Sequence, residues 1–335
     1  MLSFNRSIIG IKPHGKIQTF KSWFFLGILL LCTPTLIHAQ DSINEYKRPK
    51  IGLVLSGGGA KGLAHIGVLK VIDEAGIKID YIGGTSMGAI IGGLYAAGYT
   101  GNQLDSIFRA ADYNAIIQDY TPRNSKNYYE REYNDRYAVS LPFNKFKITV
   151  PVSLSKGLYN YNNITRLIHD SRHQRDFKKL PIPFICIATD IETGEEVVLD
   201  HGFLSQAIIA SGALPTLYSP VIIEGKYLID GGVLNNFPVE QVINMGADII
   251  IGVNVQDDLK DRDQLTEATK LLVQISNLQM IKKMENKRHL SDIYIKPDIA
   301  NYSVVSFDKT AEIIKTGEEA AFSVYEQLKN LSSDY

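Results

Sequence analysis

From residue 51 onward the chain alternates short, continuous apolar runs with longer stretches whose apolar positions recur at helical spacing. The runs at 51–55, 79–83, 184–189, 196–199, 221–223, 226–229, 248–255 and 293–295 predict β-strands. The stretches at 60–75, 86–97, 239–245, 264–288 and 309–329 predict helices. In the first of these, Leu63, Ile66, Val68, Leu69 and Ile72 supply the apolar faces, and Gly98 stops the second. Strands read as unbroken apolar runs when helices cover both faces of a parallel sheet. The pattern therefore predicts an α/β fold with a mainly parallel central sheet.

Two stretches depart from this rhythm. Residues 112–162 carry tyrosines at 113, 120, 128, 129, 133, 137, 159 and 161 and few helical periods. They predict loops with a short β excursion, serving either as a lid or binding loop or as a surface insertion that covers core. Residues 1–39 hold Arg6, Lys12, Lys16 and Lys21, no acidic residue, an apolar run from 23 to 31, then Pro34 and Ile37-His38-Ala39. A basic start, a short apolar centre and a small residue predict a signal peptide cut after Ala39. The run is too short for the roughly 20 apolar residues that span a bilayer. An uncleaved anchor helix is the alternative. Cys32 raises a third possibility, a lipid-modified cysteine, although Leu31 is larger than the residue such signals place there. Residues 40–50 predict a polar linker, which leaves 51–335 as one domain, exported to the periplasm or the outer membrane.

The 335 residues are 45% hydrophobic and 21% charged, with a net charge of −1, which excludes a largely disordered chain. Near-neutrality also lacks the basic excess of a general nucleic-acid binder. Without residues 1–39, the remaining 296 carry 31 basic and 36 acidic side chains, a charge of −5, and one cysteine. One cysteine forms no internal disulfide. Cys186, inside an apolar run, reads as a small buried hydrophobe.

Two glycine motifs carry the candidate chemistry. Ser56-Gly57-Gly58-Gly59-Ala60-Lys61-Gly62 follows the first strand and opens the first helix. Its Gly-x-Gly-x-x-Gly core fits a dinucleotide site, with Asp80 near the place of a ribose-binding acid. Glycines also let several backbone N–H groups point at one anion, which can be a pyrophosphate or a transient oxyanion. Gly84-Thr85-Ser86-Met87-Gly88 then sits between a strand and a helix, the context of a nucleophile elbow. Gly84 and Gly88 leave room for the sharp turn, Ser86 projects its hydroxyl, and the Met87 N–H faces a developing oxyanion. Together the motifs predict attack of Ser86 on an acyl carbonyl, with the Gly57, Gly58 and Gly59 amides stabilising the negative oxygen.

A base for Ser86 is harder to find. His65 lies one turn into a helix and reads as a packing residue, and His169 and His173 share a solvated helical face with Arg166, Arg172 and Arg175. His201 precedes Gly202 in a turn, and His289 ends a basic helix. Asp230 fits better, at the end of an apolar strand and before Gly231 and Gly232. A carboxylate acts as such a base only when held against the hydroxyl in a dry site. The same residues also fit a plain Asp-Gly turn.

These blocks resemble the patatin-like phospholipases, serine acyl hydrolases with a Ser–Asp dyad. Gly57–Gly62 looks like the family's oxyanion loop and 84–88 like its elbow. The block at 210–215, continuing to Pro220, is similar to its Ala-Ser-x-Ala-x-Pro segment, and Asp230-Gly231-Gly232 resembles its second dyad element. The resemblance covers about 51–321 and implies a three-layer α/β/α fold, no metal, no cofactor and lipid acyl esters as substrates. Lys61 departs from the arginine of many members, keeping charge but losing a forked contact. It is expected to tie down the loop or to meet a phosphate, or, as a rival, to act as the base. A nucleotide-binding protein and a catalytically idle envelope module remain open. Phospholipid, lysophospholipid and neutral ester are equally compatible, and oligomeric state is not legible. Residues 264–288, with Leu271 and Ile275 beside Lys282 and Lys283, fit either a transient contact with an anionic bilayer or a core helix with a basic end.

Overall fold

The structure is a computed structural model that describes residues 48–120, 128, 143–144, 147–148, 153, 155–215, 217–265 and 268–333. The expected signal peptide, Cys32, most of the linker and most of the tyrosine-rich stretch lie outside these residues. The strands are β1 (Ile51–Leu55), β2 (Tyr81–Thr85), β3 (Phe143–Asn144), β4 (Lys147–Ile148), β5 (Phe184–Asp190), β6 (Glu195–Leu199), β7 (Val221–Ile223), β8 (Lys226–Asp230), β9 (Ile249–Val253) and β10 (Ile293–Ile295). The helices are α1 (Ala64–Glu74), α2 (Met87–Ala96), α3 (Gly101–Arg109), α4 (Tyr113–Ile117), α5 (Leu158–Leu167), α6 (Leu204–Ser211), α7 (Val239–Asn244), α8 (Ala268–Lys287), α9 (Thr310–Phe322) and α10 (Tyr325–Ser333). Within the tyrosine-rich stretch, β3 and β4 form a short antiparallel pair.

The main sheet runs β10-β9-β1-β2-β5-β8-β7, and its first five strands are parallel. β6, β7 and β8 join it antiparallel. Successive side chains of a strand face opposite ways. Ile51, Leu53 and Leu55 accordingly enter a core built with Ile66 of α1, Leu94 of α2, Ile208 of α6 and Ile314 of α9. Val54 faces the other way, onto Val239 and Val242 of α7 and Met284 of α8. Helices thus cover both faces, the three-layer arrangement expected. Covering the sheet on both faces buries β1 and β5 along their whole length and explains the apolar runs Ile51–Leu55 and Phe184–Ala188.

One feature of the sheet positions the site. β6 pairs with Cys186–Asp190 of β5 and so occupies one edge of that strand. β2 pairs with 184–187, and β8 with 188–190, so both lie along the other edge. β2 runs parallel to β5 and ends with Thr85 opposite Ile187. β8 runs antiparallel and ends with Asp230 opposite Ala188, the next position along β5. The two strands meet head to head.

Several boundaries move from their predicted places. The second strand spans Tyr81–Thr85 rather than 79–83. The Asp80 N–H donates to the Ile51 carbonyl at 2.8 Å, so Ile79 is buried before the ladder begins. The first helix opens as a 3₁₀ turn, Gly59–Leu63, because the Ala60 N–H is drawn to the Val304 carbonyl at 2.9 Å. The stretch 309–329 is two helices, broken after Phe322. Arg48 and Lys50, assigned to the linker, already belong to the domain: both pair with Asp80, at 2.5 and 3.3 Å.

Candidate active site

β2 delivers the chain to Ser86, which turns at φ 54° and ψ −121° before α2 starts at Met87. A non-glycine residue in that region is strained, and strain of this kind persists only when its surroundings over-determine it. Here they do. A methyl on Gly84 would lie 2.4 Å from the Gly88 carbonyl oxygen, and one on Gly88 would lie 2.2 Å from that of Leu55. The Ser86 N–H donates to Ser211 Oγ at 3.0 Å, which pins the turn from a third side.

At the head-to-head junction, Ser86 Oγ donates to Asp230 Oδ2 at 2.7 Å. The Gly232 N–H donates to Asp230 Oδ1 at 2.7 Å, and the Asp230 N–H donates to the Ala213 carbonyl at 3.0 Å. Asp230 is therefore no hairpin turn: β8 ends at this residue and a 3₁₀ turn, Gly231–Val233, follows. Its side chain is buried, at 4% exposure, and among the described residues no cation pairs with it. Burial disfavours the charged carboxylate and raises its pKa to about 6, while the hydrogen bonds from Ser86 and Gly232 pull the other way.

The glycine loop lies beside Ser86, with one correction. Gly57 is not a free oxyanion donor, because its N–H already donates to Asn236 Oδ1 at 3.1 Å. Asn236 Nδ2 returns a bond to the Gly57 carbonyl at 3.3 Å, so the side-chain amide grips that peptide from both ends. No hydrogen bond to another described residue engages the N–H groups of Gly58, Gly59 or Met87. Met87 also stands at the start of α2, where the helix dipole favours negative charge. Lys61 is buried, and its ammonium sits 2.6 Å from Asp257 Oδ2, so it ties the loop down rather than serving Ser86.

The remaining candidates separate from this centre. His65 is fully buried, with Nε2 2.7 Å from the Ser56 carbonyl, and burial lowers its pKa to about 4. Asp80 binds the Ile51 N–H at the start of β1, the opposite end from the glycine loop, which removes the support for a ribose site. His169 lies beyond the end of α5, in a 3₁₀ turn. Cys186 is buried inside β5, and burial pushes its thiol pKa up. Ser211 lay inside the 210–215 block without a role assigned to it, and Asn236 was not singled out in the sequence. Nothing in a serine or an asparagine announces that it will hold a backbone turn more than a hundred residues away.

Ser86 and Asp230 open into a cavity of about 530 Å³, within the usual range for ligand sites. Its walls are mostly apolar, among them Ile90, Leu94, Phe108, Ile117, Leu167 and Phe307. Residues of α4 and α5, which stand at the two ends of the tyrosine-rich stretch, line it as well. Among the described residues no group of three or more histidine, cysteine, aspartate or glutamate side chains is placed to hold a metal.

The sequence profile of the patatin-like phospholipases matches residues 53–243, more than half of the chain. The chain belongs to that family. Among curated relatives, this patatin-like phospholipase is 29% identical over 331 residues to lysophospholipase NTE1 of Candida glabrata, covering 90% of this chain and 18% of the relative. It is 28% identical over 311 residues to lysophospholipase nte1 of Emericella nidulans, covering 84% and 18%. The chain thus spans about a fifth of the length of these relatives. Among solved structures, VipD from Legionella pneumophila is similar at a TM-score of 0.47 and 15% identity, over 84% of this chain and 67% of that one. ExoU from Pseudomonas aeruginosa, in complex with SpcU, is similar at 0.43 and 15%, over 84% and 53%.

Proposed function

We propose that this protein is a lipid acyl hydrolase of the phospholipase A or lysophospholipase type, cleaving carboxylic esters through Ser86 and Asp230. The observation that carries the reading is the 2.7 Å contact between the strained Ser86 hydroxyl and a buried, cation-free carboxylate at an apolar cavity. A carboxylate lifted by burial is a better base than a solvated one. Asp230 takes the Ser86 proton as Oγ attacks the acyl carbon. Gly58, Gly59 and Met87 N–H groups receive the oxyanion, each donor being worth about 3–4 kcal/mol of barrier. Asp230 returns the proton to the leaving alcohol, and water, activated by Asp230, then frees the acyl group from Ser86. Gly57 and Lys61 hold the loop. The relatives named as lysophospholipases support a lipid ester as substrate.

Hydrolysis of phospholipid and lysophospholipid by wild type, Ser86→Ala and Asp230→Asn tests this. Both variants are expected to lose at least 1,000-fold in kcat/KM, and a fluorophosphonate to label Ser86 alone. Folded wild type that neither labels nor cleaves any ester would overturn the reading in favour of an idle module.

Contact with the lipid surface belongs to the same proposal. Leu214, Val233, Val304 and Val305 line the cavity yet are 44%, 50%, 49% and 61% exposed, an apolar rim at the catalytic mouth. At the basic end of α8, Lys287 is tied to Glu240 at 2.6 Å and Arg288, just beyond the helix, lies over Tyr294, while Lys282 and Lys283 are exposed, as are the apolar Leu271 and Ile275 among the described side chains. Export rests on residues 1–39, with the mature chain starting at Gln40.

A further inference from the structure

The polar wall of the cavity points to a substrate class. Tyr159, Asn160, Asn163 and Arg166 all line the cavity from α5. Spacings of three and four residues put these side chains on one helical face, and Asn160 to Arg166 spans about 9 Å along the axis. Arg166 and Asp230 are the charged residues among the described cavity walls. Four other guanidinium groups have partners: Arg48 on Asp80, Arg109 on Asp105, Arg175 over Phe203 and Arg288 over Tyr294. Among the described residues, no hydrogen bond or ion pair engages the side chains of Arg166, Asn160 or Asn163.

The Arg166 side chain is solvent-exposed at the cavity wall and has no counter-charge among the described residues, which leaves it available to an incoming anion. A substrate with a phosphate meets the complementary difficulty here, since its negative charge approaches the carboxylate of Asp230. We propose that Arg166, with Asn163 and Asn160 beside it, binds the phosphate of a single-chain phospholipid and makes such lipids preferred over uncharged acylglycerols. This rests on ester hydrolysis at Ser86 and adds the group that reads the head of the substrate. Arginine suits the task because its planar fork matches two phosphate oxygens. The amides supply further donors to the phosphate or the glycerol hydroxyl. The apolar wall made by Phe108, Ile117 and Phe307 takes the acyl chain.

Two measurements test the proposal. In the first, kcat/KM is compared for a lysophospholipid and a monoacylglycerol with the same acyl chain. Arg166→Gln is expected to lower the ratio of the two by roughly 10- to 100-fold, the range for a charge-assisted hydrogen bond, with Arg166→Lys recovering part of it. An equal loss on both substrates, or no change in the ratio, overturns the proposal. In the second, binding of decylphosphocholine, which has no ester to cleave, is measured against decylglycerol ether by calorimetry below micellar concentrations. Arg166→Gln is expected to weaken the first more than the second, while equal weakening or no binding to wild type overturns the proposal. Phosphate-dependent binding in a protein that cleaves no ester would keep Arg166 as a phosphate site and discard the hydrolase reading instead.

Discussion

Asp230 and His65 are both buried, and their burial acts on stability in opposite directions. A carboxyl with a folded pKa of about 6 against 3.8 unfolded is held in a costly charged state at neutral pH. That cost is present above pH 6 and is relieved as pH falls from 6 towards 3.8, of order 3 kcal/mol in all. His65 falls from 6.5 unfolded to about 4 folded. Its contribution is present above pH 6.5 and lost as pH falls towards 4, again of order 3 kcal/mol. The two nearly cancel over that window. Asp230→Asn is therefore expected to be more stable than wild type at pH 8, and to lose that advantage progressively down to pH 4. Thermal melts of both proteins at matched pH values check this, and a pH-independent difference would contradict it. Because Asp230 must be ionised to accept the Ser86 proton, kcat/KM of wild type is expected to fall about tenfold per pH unit below roughly pH 6. Ser86 and Asp230, which the structure brings to 2.7 Å, were legible as candidates because each stands at a turn with glycines at fixed offsets. The fate of the Gly57 N–H was not, since sequence does not say which donors a distant Asn236 has already taken.

Helix α9 packs against α1 at two glycines. A methyl on Gly317 would stand 1.9 Å from the Ala64 carbonyl oxygen, and one on Gly67 would stand 2.0 Å from that of Ile314. Backbone cannot yield as a side-chain tip can. Gly317→Ala is expected to destabilise by about 2–3 kcal/mol through forced separation of the helices, and Gly67→Ala by a similar amount. Gly76→Ala is the contrast: nothing lies within 4 Å and only its φ of 69° opposes a side chain, at a cost of about 1 kcal/mol. Urea midpoints of the three variants order these effects, and a Gly317→Ala midpoint equal to that of Gly76→Ala would remove the close-packing account. Element types were legible wherever an apolar run or a helical period was long. Their ends were less so, because ladder and cap contacts decide them. Thr100 and Gln103 form a complete capping box at the start of α3, a helix that apolar periodicity alone passed over although the Thr-x-x-Gln signature was in plain view. The unbroken period of 309–329 likewise hid the break between α9 and α10.

Net charge describes two unlike parts: residues 1–39 at +4 and the remainder at −5. A remainder of that sign gains nothing from bulk attraction to anionic lipid, which places the weight of any membrane contact on the apolar rim of the cavity. Val304→Asp with Val305→Asp is expected to lower the fraction bound to phosphatidylglycerol vesicles in a sedimentation assay, and unchanged binding would assign the contact elsewhere. If the leader is cut as its pattern predicts, the exported protein begins at Gln40, which an intact mass measures directly. A mainly parallel sheet covered by helices was legible from the apolar pattern, and the three-layer fold from the family resemblance. The antiparallel edge was not, since β7 and β8 are too short and too mixed to reveal their direction. That edge has a temporal consequence. Ser86 and Asp230 are 144 residues apart in the chain and meet only where β5 aligns β2 with β8. Contacts of such separation form late, after shorter loops have closed. A nascent chain that has emerged as far as β5 displays the nucleophile without its base. With Asp230 as that base, Ser86 has no proton acceptor until the chain has been made through residue 230 and β8 has paired with β5.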